Sequence, residues 1–221
     1  MSALLFGPSA APASGGSAKQ LVVLLHGVGA DGSDLMALVP YVAPLLPDAA
    51  FLAPDAPFPY DMAPFGRQWF SLADRSVAAL AAGVKAVSPL LDAYLDEQLA
   101  ARGLTDEDLV LIGFSQGTML ALHTAPRRDK ACAALVGFSG AMVEPEALAT
   151  ELKSRPRTLL IHGDQDEVVN PACLTHAEQH LAAYGIPVLA EMRPGLGHSI
   201  DGPGLGLAVN FIRQALGLEP G

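Results

Sequence analysis

The feature that most restricts the fold of this chain is a set of six short, mostly apolar runs. They span 21–26, 49–53, 108–114, 131–138, 157–162 and 188–192. Each has the length of a strand, and none alternates apolar with polar residues along its body. A strand covered on both faces reads that way. Helix-length segments lie between them, at 34–46, 75–102, 116–125, 173–184 and 205–216. Pro40 and Pro44 should bend the first of these, and Pro89 should break or kink the second. Strands alternating with helices imply a mainly parallel sheet with helices on both faces. Residues 53–72, APDAPFPYDMAPFGRQWFSL, interrupt the alternation with a Pro-rich, aromatic loop. Loops this long in compact domains often carry function.

The chain has 221 residues, 51% hydrophobic and 16% charged, which excludes a disordered protein and supplies a large core. We see no internal repeat and no shift of composition. A single α/β domain over 1–221 is therefore expected, with 1–18 as an N-terminal loop or edge segment. The net charge of −10 disfavours nucleic acid and anionic membranes as partners. Cys132 and Cys173 lack CxxC spacing and read as reduced, small hydrophobes. The start of the chain has no basic region, and its apolar stretch, residues 3–6, is short for a signal peptide. The longest interior uncharged stretch, 109–126, carries polar residues and glycines and does not read as a membrane span. These features predict a soluble, cytoplasmic protein without stable membrane association. A homodimer is compatible with the sequence.

Chemistry concentrates at Gly113-Phe114-Ser115-Gln116-Gly117. A bare GxSxG carries little weight, but this one follows a strand pattern and precedes a helix pattern. A serine at such a turn is lifted above the sheet edge, and glycines two before and two after remove side chains that would collide. A serine nucleophile needs a base, and the base needs an orienting carboxylate, here expected in the order Ser, acid, His. Of the six histidines, His26, His123 and His162 come too early. His176 and His180 lie one helical turn apart on what reads as a solvated face. His198, in the glycine-rich RPGLGHSI after the last strand, is the candidate base. Asp164 and Asp166, in HGDQDEVV, both follow a strand. Asp164 is expected to bond its own turn's amides, and spacing alone favours Asp166 only modestly. The oxyanion needs backbone donors. The Gln116 N–H is one, and Val28, in LLHGVGADG, offers the other. That loop matches GxGxxG by letter but lacks the acidic residue about 20 positions on, and GxxxxGK[ST] is absent. No dinucleotide or phosphate site follows, and no metal or organic cofactor is implied. Trp69 is the candidate substrate contact, with a core tryptophan as the competing reading.

Together LLHGVGADG, GFSQG, HGDQDEVV and GHSI resemble the phospholipase/carboxylesterase (acyl-protein thioesterase-like) family of α/β-hydrolases, over roughly residues 20–216. The resemblance implies an α/β-hydrolase fold and a serine esterase acting on a small-molecule ester. It also implies Ser115 as nucleophile, Asp166 rather than Asp164 as acid, His198 as base, and the Val28 and Gln116 amides as oxyanion hole. Trp69-Phe70-Ser71 stands where acyl-protein thioesterases usually carry Trp-Phe-Asp or Trp-Tyr-Asp. The N-terminal FGP…SGG is similar to the bacterial carboxylesterases. Both point away from protein depalmitoylation. Four prolines stiffen the 53–72 loop, and Trp69 with Phe70 offers a fixed apolar wall, so short-chain esters are expected, with a lysophospholipase or acyl thioesterase, or a non-catalytic binding member of the fold, as alternatives.

Overall fold

A computed structural model describes residues 5–218, so the apolar stretch 3–6 begins outside the described residues. The apolar runs become strands β2 (Gln20–Leu25), β3 (Ala49–Leu52), β6 (Leu109–Phe114), β7 (Ala134–Phe138), β8 (Thr158–Gly163) and β9 (Val188–Arg193). A two-residue strand, β1 (Ser9–Ala10), comes from the segment expected to be loop or edge. The sheet order is β1-β3-β2-β6-β7-β8-β9, parallel throughout except for β1, which pairs antiparallel with β3 at the edge.

The unbroken apolar runs have a direct explanation. Successive residues of a strand point to opposite faces, and both faces are covered along β2, β3, β6, β7 and β8. The edge strand β9 leaves Leu189 and Met192 exposed, because among the described residues no further strand or helix covers it there. Leu21, Val23, Leu25, Leu109, Leu111 and Leu135 pack with one set of helices. Val22, Leu24, Val110, Ile112, Val136 and Phe138 pack with the other. The first set is α3 (Val77–Ala100), α4 (Gln116–Thr124) and α6 (Ala172–Ala183), with the short α5 (Leu148–Glu151) beside them. The second is α1 (Gly32–Met36), α2 (Val39–Val42) and α7 (Gly202–Ala215).

Pro40 and Pro44 divide the 34–46 segment as expected, into α1, α2 and a 3-10 turn, Ala43–Leu45. Pro89 does not break α3, which runs 24 residues without interruption. A proline removes one helical hydrogen bond. The stripe Ala81, Val84, Val87, Leu91, Leu95 and Leu99, spaced at three and four residues and fully packed against the sheet side, holds the helix on both sides of that gap. By length and composition α3 is apolar enough to cross a membrane; here its apolar stripe faces the core, and Lys85, Asp92, Asp96 and Glu97 lie elsewhere on it. The Pro-rich loop contains a small hairpin, β4 (Phe58–Pro59) with β5 (Arg67–Gln68).

The chain leaves β2 for β3 on one side and returns to β6 on the other. In open parallel sheets the carboxyl ends of two strands flanking such a reversal frame the ligand crevice. The loops after β2 and β6 are the ones that carry Val28 and Ser115.

Candidate active site

Ser115 sits between β6 and α4 with φ 52° and ψ −115°, a conformation that a non-glycine residue rarely holds. The surroundings enforce it. A Cβ on Gly113 would lie 2.6 Å from the Thr118 backbone, and one on Gly117 would lie 1.9 Å from the Leu25 carbonyl oxygen. The strand, the turn and the helix therefore close tightly only with glycine at those two positions. Ser115 N–H is anchored on the Phe138 carbonyl at 2.9 Å.

The loop after β8 and the loop after β9 are zipped together. Asp164 N–H donates to Arg193 O at 3.1 Å and Gln165 N–H to Leu196 O at 2.9 Å. Asp164 was expected to hold its own turn. Instead its carboxylate accepts from Gly195 N–H at 2.7 Å, in the loop that carries His198. The turn-holding role falls to Asp166, whose Oδ1 accepts from the Val168 and Val169 amides at 2.9 and 2.8 Å. The other oxygen of Asp166 accepts from His198 Nδ1 at 2.7 Å. His162 Nε2 lies 3.2 Å from that same oxygen and 3.0 Å from Val169 O. The Asp166 side chain has no exposed surface. Burial works to raise its pKa, but the bonds from His198 and the two amides outweigh burial and hold it below the usual carboxylate range.

The structure thus joins Asp166 to His198. Phe114, beside Ser115, packs its ring on the imidazole at 4.8 Å between centroids. The Ser115 hydroxyl does not cap α4, and hydrogen bonds of a catalytic group are often long before substrate binds. Two hollows flank this region. One, of about 240 Å³, is lined by Leu35, Leu38, Phe114, His198 and Ile200. The other, of about 220 Å³ and mostly apolar, is lined by Val77, Leu80, Met119, Ala141, Met142 and Val143. Met119 is one helical turn beyond Ser115, and its N–H donates to Ser115 O at 3.1 Å.

Trp69 is not where the sequence reading put it. Its side chain is fully buried in the core and offers no surface to a substrate. Its indole N–H donates to His26 O at 2.9 Å. The physical reason lies in residues 67–70, which run beside the loop after β2 rather than over it. Gly29 N–H donates to Arg67 O at 2.8 Å, and Arg67 N–H to Ala30 O at 2.9 Å.

Two further participants were not legible as such. His26, fully buried, accepts from Ala56 N–H at Nε2 (3.0 Å), so its proton resides on Nδ1, 2.7 Å from Gly27 O. Burial lowers its pKa despite the Gly27 carbonyl and the nearby Asp55, which keeps it neutral. The Gln116 side chain, also fully buried, accepts from Trp69 N–H at 2.9 Å and donates to Phe70 O at 2.7 Å. Only the Gln116 backbone had been assigned a role. Among the described residues no group of three or more His, Cys, Asp or Glu side chains could hold a metal ion.

Residues 10–216 match the model of the phospholipase/carboxylesterase family. The chain belongs to that family. With relatives named esterase beside the carboxylesterase family model, this is a carboxylic ester hydrolase. The crystal structure of esterase PE8 superimposes with a TM-score of 0.92 at 42% identity, covering 96% of this chain and 99% of that one. Esterase YpfH of Escherichia coli is 29% identical over 90% of this chain and 84% of its own length. Acyl-protein thioesterase 1 of Kluyveromyces lactis is 27% identical over 91% of this chain and 94% of its own. The α/β-hydrolase fold expected from the sequence is the fold observed.

Proposed function

We propose that the protein is a serine carboxylesterase that hydrolyses short-chain carboxylic esters through an acyl-enzyme intermediate. Ser115 Oγ attacks the ester carbonyl carbon while His198 Nε2 accepts its proton. Asp166 holds the imidazole with its other proton on Nδ1. The Val28 and Gln116 amides stabilise the oxyanion. Collapse of the tetrahedral adduct expels the alcohol, protonated by His198, and leaves an acyl-Ser115 ester. Water, deprotonated by His198, then attacks that ester and releases the acid. The observation that carries this reading is the part-buried Asp166–His198 bond of 2.7 Å, reached across 32 residues of sequence.

Hollows of about 240 and 220 Å³ beside the Ser115 turn have room for a small acyl group, which supports a short-chain substrate. The net charge of −10 supports an enzyme that does not stay on anionic lipid. A thioesterase or lysophospholipase is the second reading, favoured by the resemblance to acyl-protein thioesterase 1 of Kluyveromyces lactis and by exposed Phe58, Met62 and Phe65 on the hairpin loop. The test is kcat/KM across p-nitrophenyl esters of increasing acyl length. A maximum at short acyl chains is expected. A maximum at long chains, or a rate jump above the micelle threshold, selects the second reading.

A further inference from the structure

The two amides assigned to the oxyanion belong to different loops, at the ends of neighbouring strands β2 and β6. Neither loop alone sets the distance between them. A hydrogen-bonded chain through the segment 67–70 does connect them. The Gln116 amide side chain is engaged at both ends, by Trp69 N–H and Phe70 O. The Trp69 indole reaches on to His26 O, two residues before Val28. Arg67 bonds Gly29 and Ala30 just beyond Val28. The segment therefore grips the Val28 loop on both sides and grips Gln116 as well. His26, Trp69 and Gln116 are all fully buried, where hydrogen bonds are strong and neighbours leave little room for alternative positions.

We propose that Trp69 and the side chain of Gln116 are positioning residues that set the spacing of the oxyanion hole. This rests on the triad and oxyanion assignment above. A spacing device acts on the transition state, since the donors must fit the oxyanion and not the ground-state carbonyl. Its loss should lower kcat and leave KM nearly unchanged.

Trp69 is the only tryptophan in the chain. Biosynthetic replacement of its indole by benzothiophene therefore removes one N–H at one place and preserves the ring shape. This variant is compared with Trp69→Phe, Gln116→Met and the double Trp69→Phe/Gln116→Met on p-nitrophenyl butyrate. Binding of a trifluoromethyl ketone, which forms an oxyanion adduct, is measured alongside. A misplacement near 1 Å costs on the order of 100-fold, so kcat should fall by about 10- to 100-fold in each single variant, with KM within about twofold. Ketone affinity should weaken by the same factor as kcat. Because the two residues are links of one chain, the double variant should lose little more than the worse single. An unchanged kcat in the benzothiophene enzyme, a loss confined to KM, or losses that multiply in the double variant would overturn the proposal. Fluorophosphonate labelling of Ser115 on the same preparations separates the two layers. Full labelling with unchanged kcat refutes the positioning role alone, and absent labelling in the wild type refutes the nucleophile assignment and the positioning role with it.

Discussion

Replacing Asp166 by Asn should nearly abolish activity, and the structure says by which route. Asp166 Oδ1 accepts two backbone N–H groups, from Val168 and Val169. An asparagine at this place must keep its carbonyl oxygen there, because its NH2 group would face two donors. The NH2 is then forced into the position of Oδ2, 2.7 Å from His198 Nδ1. An NH2 group donates only, so Nδ1 must become an acceptor and the imidazole proton moves to Nε2. The nitrogen that should take the Ser115 proton is then already protonated. An inverted tautomer of this kind costs about 10⁴-fold, close to 5.5 kcal/mol at 1.36 kcal/mol per decade. Asp164→Asn differs, because the new side-chain oxygen can still accept from Gly195 N–H, and the loss should stay below about tenfold. The assay is kcat/KM on p-nitrophenyl butyrate for both variants, with circular dichroism to confirm folding. Asp166→Asn within tenfold of wild type, or Asp164→Asn equally impaired, would refute the reasoning.

Ser115→Ala should lose at least about 10⁴-fold in kcat, and a fluorophosphonate followed by peptide mapping should label Ser115 alone; labelling at Ser139, the other strand-end serine with positive φ, would reassign the nucleophile. His123 is buried with Nδ1 unpartnered, and burial, then Arg127, push its pKa down to about 4. A depressed histidine pKa means that the unfolded chain binds the proton first, so stability should be full above pH 6.5 and fall by up to about 3 kcal/mol as pH drops from 6.5 toward 4. His123→Leu should flatten that slope, measured by urea unfolding at pH 7 and 4.5, and equal slopes in both proteins would clear His123 of the effect. Excess EDTA should leave kcat/KM unchanged; a loss restored by zinc would direct attention to His176 and His180, whose rings lie 4.2 Å apart between centroids.

What the sequence determined by itself was written at short range. The buried strands could be read because burial on both faces leaves an unbroken apolar run; β9, at the sheet edge, shows the same kind of run but leaves Leu189 and Met192 exposed. The Ser115 turn could be read because its constraint, two glycines flanking a strained residue, fits within five positions. Even there, only the structure shows what the glycines avoid, the Leu25 carbonyl and the Thr118 backbone. Asp164 and Asp166 were chemically equivalent in the sequence. The distinction between them depends on how the loop after β9 lies across the loop after β8, which places Gly195 on one carboxylate and His198 on the other. For Trp69, an aromatic residue in a long loop, the sequence leaves substrate contact and core packing both open. Whether it faces solvent or the core was decided by residues 67–70 pairing with the loop after β2. Pro89 would break an isolated helix, and apolar packing along the length of α3 overrides it. Propensity and motif spacing act between residues near in sequence. The side on which a buried group finds its partner is settled by contacts that close only when the whole sheet has assembled.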